Sequence, residues 1–281
     1  MKIMQLTDLH IGSQPFKEED VKTFKLIEKT VKEQTPDVIV ITGDLIWSKE
    51  EGALETFKAV IDFFDSLKVP FAVTLGNHES ESNYNRMRLW EIIDKSVMHV
   101  KREGGAVYND CYSYFYTLDN GIRIYMLDAG DYARAPFDGY AFVTYEQQKW
   151  LINRAKNRTM PDQLFMHMPL PEYADAAKQG YVGNLYEDVC PPRVNSGLWY
   201  QLYYNTTING VYCGHDHNND FTSNYYGIQL NYGRVTGYNA YGKLKRGARI
   251  IEWNDKLNRN TYIIEAEEDK DDVKEEAEAL N

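Results

Sequence analysis

The chain is poor in cysteine, with three in 281 residues: Cys111, Cys190 and Cys213. They are far apart and odd in number, so neither a disulfide framework nor a cysteine metal cluster follows. A reducing compartment is the expectation. Long apolar runs are missing too. A membrane helix needs about 18 or more consecutive apolar residues, and the sequence has no such stretch. The opening MKIMQLTDLH passes from a short strand into polar residues, without the apolar h-region of a signal peptide. The expected location is therefore cytoplasmic, with no membrane partner. Basic charge is in deficit, with 31 Lys and Arg against 42 Asp and Glu, a net charge of -11. A dedicated nucleic-acid binder usually carries a basic face, so no nucleic-acid partner is expected. Internal repeats at a fixed period and linkers between globular halves are also absent.

What is present is a globular composition, 43% apolar and 26% charged. The charge is uneven. Glu265–Asn281 carries nine acids and two lysines, net -7, which leaves the rest of the chain at only -4. The expected organisation is one domain over residues 1–264 and an acidic C-terminal tail over 265–281. Such a tail is a solvated helix or a disordered end.

Apolar strands alternate with amphipathic helices in the first half. Lys2–Thr7 reads as a strand. Phe16–Gln34 places Val21, Phe24, Ile27 and Val31 at helical spacing, and Pro36 stops it. Asp37–Thr42 is an apolar strand. Leu54–Leu67 carries a stripe of Phe57, Val60, Ile61 and Phe64, and Pro70–Leu75 is a third strand. This order predicts a parallel sheet with crossover helices. Beyond it, Tyr112–Leu118 and Ile122–Leu127 flank an Asp119-Asn120-Gly121 turn, a hairpin signal. A helix at Tyr145–Lys156 and a strand at Gln163–Met166 come next. Residues 169–197 form a long Pro-, Gly- and Tyr-rich loop region with short helices. Ile208–Cys213, Phe221–Asn224, Ile228–Tyr232, Ala248–Trp253 and Thr261–Glu265 read as further strands. The second half is expected to form a second sheet packed on the first.

Five of the six histidines stand just after predicted strands, beside Asp, Asn or Gly. The segments are Asp8-Leu9-His10, Gly43-Asp44, Gly76-Asn77-His78-Glu79, His167, and Gly214-His215-Asp216-His217. In an open α/β sheet the carboxyl ends of strands line the ligand crevice, so these segments can converge. Each piece alone is weak. A Gly-Asp after a strand is usually a turn, and a single histidine is usually an ordinary hydrogen-bonded one. His99, between Met98 and Val100, reads as structural. The conjunction is specific. Asp, His and Asn without cysteine make a nitrogen and oxygen ligand set suited to Mn, Fe, Zn or Ni.

The order D-x-H, G-D, G-N-H-E, H, G-H-x-H resembles the calcineurin-like metallophosphoesterase superfamily. The resemblance implies an α/β fold, a four-layer α/β/β/α sandwich of two mixed sheets flanked by helices. It also implies a phosphatase with two divalent metal ions. Asp8, His10, Asp44 and His217 would hold one, and Asp44, Asn77, His167 and His215 the other, with Asp44 bridging. A metal-bridging hydroxide would attack phosphorus in line. His78 would protonate the leaving alkoxide as general acid or stabilise transition-state charge. Asn77 and His78 would also meet the substrate, a small-molecule phosphate ester or a phosphopeptide. Asp216 faces away from its neighbours and is expected to support the site.

Within the superfamily the chain is similar to cytosolic purple-acid-phosphatase-like enzymes. The similarity rests on Leu127-Asp128-Ala129-Gly130-Asp131-Tyr132, His167-Met168-Pro169-Leu170-Pro171-Glu172-Tyr173, the run from Gly214 to Phe221, and Thr236-Gly237-Tyr238. Purple enzymes place a tyrosinate ligand three residues after the bridging aspartate, where this chain has Trp47, and they lack a histidine at the place of His10. Indole cannot ligate as phenolate does, so no charge-transfer colour is expected. Tyr132, Tyr173, Tyr238, Arg193 and Arg234 are candidates near the crevice for substrate selection, with Tyr132 and Tyr238 named as contacts, while most tyrosines are expected to pack in the core or at the rim and Arg234 is at least as much a structural arginine as a phosphate contact. Phosphomonoester hydrolysis is the leading expectation, phosphodiester hydrolysis on the same metals the alternative. An inactive scaffold of the same fold is disfavoured, because every expected ligand and the acid are present.

Overall fold

The computed structural model describes residues 1–49, 51–81 and 84–267. Strand β1 (Lys2–Leu6) continues into helix α1 (Glu18–Gln34), β2 (Val38–Thr42), α2 (Ala53–Ser66) and β3 (Phe71–Thr74). Asp20 fixes the start of α1 by accepting from the Gly12 and Lys17 backbone N–H groups at 2.9 and 2.8 Å. Glu18, Glu19 and Asp20 also place negative charge at the positive end of the helix. β1, β2 and β3 pair in parallel, as crossover helices demand. A short turn of 3-10 helix at His78–Ser80 precedes α3 (Arg86–Ile93).

The remaining elements are β4 (Glu103–Tyr108), β5 (Cys111–Thr117), β6 (Arg123–Leu127), α4 (Tyr145–Ala155), β7 (Gln163–Phe165), α5 (Glu172–Gln179), α6 (Leu198–Asn205), β8 (Gly210–Cys213), β9 (Thr222–Tyr225), β10 (Ile228–Tyr232), β11 (Gly247–Trp253) and β12 (Arg259–Glu265). They do not all form the expected second sheet. β11 lies antiparallel on the free edge of β1, with Ile3 opposite Ile251, and β12 pairs outside it. The first sheet therefore runs β12-β11-β1-β2-β3, and the second runs β4-β5-β6-β7-β8-β10-β9. β12 extends through Glu265, the first residue of the acidic run. Glu267 pairs with Lys29 of α1 at 2.7 Å. The acidic residues from Glu268 onward lie outside the described residues.

Side-chain parity shows how the layers stack. Ile124, Met126, Phe165 and Tyr212 join the core beneath the first sheet, with Phe57, Val60, Ile61 and Phe64 of α2 on its other side. Their neighbours Tyr125, Leu127, Leu164, Met166, Val211 and Cys213 join a second core with Trp150 and Leu151 of α4 and Leu198 and Leu202 of α6. Successive strand residues point to opposite faces, so the second sheet is apolar on both. Two mixed sheets thus pack face to face between outer helices. Each buried large aliphatic side chain contributes roughly 1.5–3 kcal/mol. Polar links also cross between the sheets, Arg249 Nε of β11 donating to the Tyr232 carbonyl of β10 at 2.6 Å among them. Gln5 Nε2 donates to Thr42 Oγ1 and to the Cys213 carbonyl, both at 3.0 Å. Tyr114 donates its hydroxyl to the Val73 carbonyl at 2.9 Å. Among the described residues no helix is long and apolar enough to cross a membrane.

Candidate metal centre

The parallel strands of both sheets end at the same edge, and the histidine segments begin there. The backbone keeps pairing past the strand ends. Asp8 N donates to the Gly43 carbonyl at 3.1 Å, His10 N to the Asp44 carbonyl at 3.0 Å, and Gly214 N to the His167 carbonyl at 2.8 Å. The side chains are then aimed by unusual dihedrals. Asp8, His10, Asp44 and His215 have φ of 55, 47, 53 and 77°. A left-handed conformation at a non-glycine residue costs on the order of 1 kcal/mol and collects at functional sites. Glycine is needed where the loops touch. A Cβ on Gly43, at φ 87°, would lie 2.5 Å from Gly76 N and 2.7 Å from His167 Nδ1.

Donor atoms from five segments meet in the resulting cleft. His217 Nε2 lies 3.2 Å from His10 Nε2 and 3.4 Å from Asp8 Oδ1. His10 Nε2 lies 3.8 Å from Asp44 Oδ2. On the other side of Asp44, the same Oδ2 is 3.1 Å from His167 Nε2, which is 3.2 Å from Asn77 Oδ1. Asp8, His10 and His217 form one cluster of donors close enough to share a cation, and Asp44, His167 and His215 form another. Asp44 stands between them. All seven expected ligands are buried.

The donor set fits two cations. His10 and His217 each leave a buried Nδ1 without a hydrogen-bond partner. A neutral imidazole keeps one lone pair, and here both Nε2 atoms face each other beside carboxylate oxygens. Two ring nitrogens 3.2 Å apart beside carboxylate oxygens are an arrangement that a shared cation would satisfy. Burial pushes His10 and His215 down to about 3, so both rings are neutral and able to ligate at pH 7. Burial works to raise Asp8, yet His217 beside it holds the carboxyl at about 2. Burial works to lower His167, but Asp44 against its Nε2 raises it to about 10. His167 and Asp44 would hold a cation in place of that proton. His167 Nδ1 donates to the Thr42 carbonyl at 2.7 Å, which leaves Nε2 to face the cleft.

His78 sits at the rim, its side chain 22% exposed. Its backbone N–H donates to Asp44 Oδ1 at 2.8 Å. Its Nδ1 lies 2.7 Å from Glu81 Oε2, and its Nε2 lies 4.0 Å from Asp44 Oδ2. The ring is therefore held with Nε2 toward the cleft. Tyr132 donates to the other Glu81 oxygen at 2.7 Å and borders a separate cavity of about 400 Å³ that also meets Ser80 and Phe137.

The remaining loop residues sort differently from their expected places. Tyr173 is buried in the second core and donates to the Val211 and Asn231 carbonyls. Arg234 is buried against Asp220, Glu265 and the Lys245 carbonyl. Arg193 pairs with Asp138 on the surface. Tyr238 is tied by its backbone N–H to Thr23 of α1, and Tyr241 lines the cleft in its stead. His99 meets the Tyr114 hydroxyl at 3.2 Å and takes no part in the centre. Asp216 accepts from the Tyr232 hydroxyl at 2.6 Å and from Cys190 N at 3.0 Å, a support for the loop that carries His215 and His217.

Several neighbours support the centre in ways that the sequence does not announce, although Glu79 ends the G-N-H-E motif and Trp47 stands at the tyrosinate position. Glu79 is fully buried and gathers the Asp44, Leu45 and Gly76 N–H groups onto its two oxygens. Trp47 packs its ring on His10 and His78, with centroids 4.2 and 4.5 Å away. Tyr241 stacks on His217 at 4.0 Å and Tyr140 meets His215 edge-on at 4.4 Å.

Comparison with known proteins agrees with this arrangement. The profile of the calcineurin-like phosphoesterase family matches residues 1–219. "Probable inactive purple acid phosphatase 14" of Arabidopsis thaliana is 28% identical, over 89% of this chain and 74% of its own length. "Phosphatase DCR2" of Saccharomyces cerevisiae is 30% identical, over 78% of this chain and 44% of its own. A crystal structure described as a dimetal phosphatase from Danio rerio superposes with a TM-score of 0.67 at 12% identity, over 93% of this chain and 98% of that one. That likeness speaks for the fold. The matched profile spans β1 to β8 and every candidate ligand, and the chain belongs to the calcineurin-like phosphoesterase family.

Proposed function

We propose that the chain is a dinuclear metal-dependent phosphatase that hydrolyses phosphomonoesters, either small molecules or phosphopeptides. One observation carries this reading: Asp8, His10, Asp44, Asn77, His167, His215 and His217 converge on one cleft with their donor atoms facing one another. Two divalent cations held there would supply positive charge for the phosphate oxygens and a water made nucleophilic at neutral pH. Asp44 spans both halves of the donor set. Asn77 adds a neutral carbonyl oxygen and approaches the substrate. His78, tied through Nδ1 to Glu81, presents Nε2 to donate a proton to the departing alkoxide.

The name of the Arabidopsis relative includes the word inactive. That word belongs to the relative. In this chain no expected ligand has been replaced, and the proposed acid stands at the cleft rim. Three free thiols, Cys111, Cys190 and Cys213, support a cytoplasmic setting. The test is a comparison of nitrophenyl phosphate with bis-nitrophenyl phosphate on manganese-loaded protein. Faster turnover of the monoester is the expected result. Faster turnover of the diester would make the chain a phosphodiesterase on the same metals. Two bound metals without turnover of either ester would return it to a scaffold.

A further inference from the structure

The charge around the cleft is opposite to what a phosphatase for highly anionic substrates needs. The cleft has a volume of about 400 Å³, and no lysine or arginine lines it among the described residues. Arg234, the loop arginine that the sequence offers to phosphate, is bound elsewhere by Asp220 and Glu265, and the other loop candidate, Arg193, pairs with Asp138. Lys243 stands over the ring of Tyr186, 4.0 Å from its centroid, and Lys49 pairs with Glu81 at 3.1 Å. With no lysine or arginine among the described residues of the lining, the metals would supply the positive charge at the phosphate end.

The outer wall is acidic and aromatic instead. Glu187 and Asp188 line it, with Asp188 exposed. The Tyr241 hydroxyl donates to Glu187 Oε2 at 3.1 Å while its ring stacks on His217. Glu187 Oε1 also accepts from Asn218 N at 2.6 Å, so its carboxylate is fixed rather than free to swing. Trp47 and Tyr140 present two more rings to the same space. Carboxylates combined with Tyr and Trp faces attract an ammonium group, and a cation gains most where the rings exclude water. A carboxylate or second phosphate on the alcohol would meet Glu187 and Asp188 with like charge.

Resting on the phosphatase reading above, we infer that this cleft selects phosphate monoesters whose alcohol carries a cationic ammonium group, as in amino-alcohol phosphates. The reaction is hydrolysis. Water adds its oxygen to phosphorus, the bond from phosphorus to the alkyl oxygen breaks, and that oxygen takes a proton to leave as the free amino alcohol. Phosphate is the other product.

Phosphocholine and 3,3-dimethylbutyl phosphate test this directly, because they differ in charge and hardly in shape. Nitrophenyl phosphate is the reference on the same manganese-loaded full chain. The expected result is a kcat/KM at least about tenfold higher for phosphocholine, a difference of roughly 1.4 kcal/mol that appears mainly in KM. Glu187→Gln and Asp188→Asn should each shrink that ratio severalfold, and high salt should shrink it too. Asp188 is exposed, so its variant keeps the test open if Glu187→Gln disturbs the loop. Equal rates on the two esters, or a ratio that neither variant changes, would overturn the inference alone. Failure to hydrolyse nitrophenyl phosphate as well would overturn the phosphatase reading beneath it.

Discussion

Glu79→Gln perturbs the centre while leaving every candidate ligand in place. The Glu79 carboxylate is fully buried. One oxygen accepts from Asp44 N at 3.1 Å and Gly76 N at 2.5 Å, and the other accepts from Leu45 N. Three N–H donors meet two acceptor oxygens. An amide offers one oxygen, and its NH₂ then faces an N–H group whichever way it is turned. The loss is one charge-assisted hydrogen bond, roughly 1.5–3 kcal/mol, and one stranded buried donor, roughly 1–3 kcal/mol. An opposing term exists. Burial and the Asp44 charge push the Glu79 carboxyl up to about 7, so removing its charge relieves repulsion and offsets part of the loss. The net expectation is a destabilisation of about 2 kcal/mol. In a domain of this size that lowers Tm by roughly 4–8 °C. The same three hydrogen bonds set the Asp44 loop against the Asn77 loop. Removing a group that orients ligands typically weakens metal binding roughly 10–100-fold. Thermal melts of chelator-treated protein and calorimetric titration with manganese measure the two effects separately. Wild-type Tm together with wild-type manganese affinity would show that Glu79 does not hold the loops in register.

The other expectations rest on the same geometry. His78→Ala should keep about two metals per chain and lose roughly 10²–10⁴-fold in turnover, the range for general acid–base groups; loss of the metals would make His78 a ligand instead. A maleimide should label Cys190 alone in the native protein, because Cys111 and Cys213 are buried, and the adduct in the cleft wall should stop turnover. Turnover that survives full labelling, or labelling of a second thiol, would contradict this. His99 is pushed down to about 3 by burial and stays neutral in the folded chain, whereas an unfolded histidine titrates near 6.5. Its share of stability is complete above about pH 6.5 and is lost as pH falls toward 3, at up to roughly 1.4 kcal/mol per pH unit. Urea midpoints at pH 7 and pH 5 should therefore move less in His99→Gln than in wild type; parallel shifts would refute it. Manganese- or iron-loaded protein should stay free of a tyrosinate charge-transfer band, since Trp47 packs on His10 and His78 where a phenolate would be required.

The convergence of the candidate ligands was legible in the sequence because strand ends dictate where each donor stands. Val38–Thr42 is a wholly buried run, so the residues just past Thr42 must sit at the sheet edge. The same holds for Asp8 and His10 after β1, Asn77 after β3, His167 after β7 and His215 after β8. Local order therefore decided which edge each donor reaches, and residue type decided what it can ligate. Elements whose pairing is decided by distant residues were less legible. β11 has the composition of any buried strand, and only the open edge of β1 decides that it joins the first sheet. β4 contains Gly104 and Gly105, whose lack of side chains erases the alternation that marks a strand. α3 begins with Arg86, a charged side chain that the fold buries against Asp128 at 2.6 Å.

The second layer of the site was illegible for the same physical reason. Glu79 is visible as the end of the G-N-H-E motif, but its role appears only when Asp44, Leu45 and Gly76 bring three N–H groups to it from two different strand ends. Tyr241 and Glu187 lie 54 residues apart and acquire a role only when the Tyr241 hydroxyl reaches that carboxylate and the ring covers His217. Arg234 fails as a phosphate contact in the converse way. Its guanidinium is occupied by Asp220, Glu265 and a backbone carbonyl, so its charge is neutralised inside the fold. Ligand atoms are set by where a strand stops, whereas the groups that choose a substrate are set by what the loops are free to touch. That division makes the metal set the conservative half of the prediction and the acidic, aromatic wall the half that only the three-dimensional arrangement can supply.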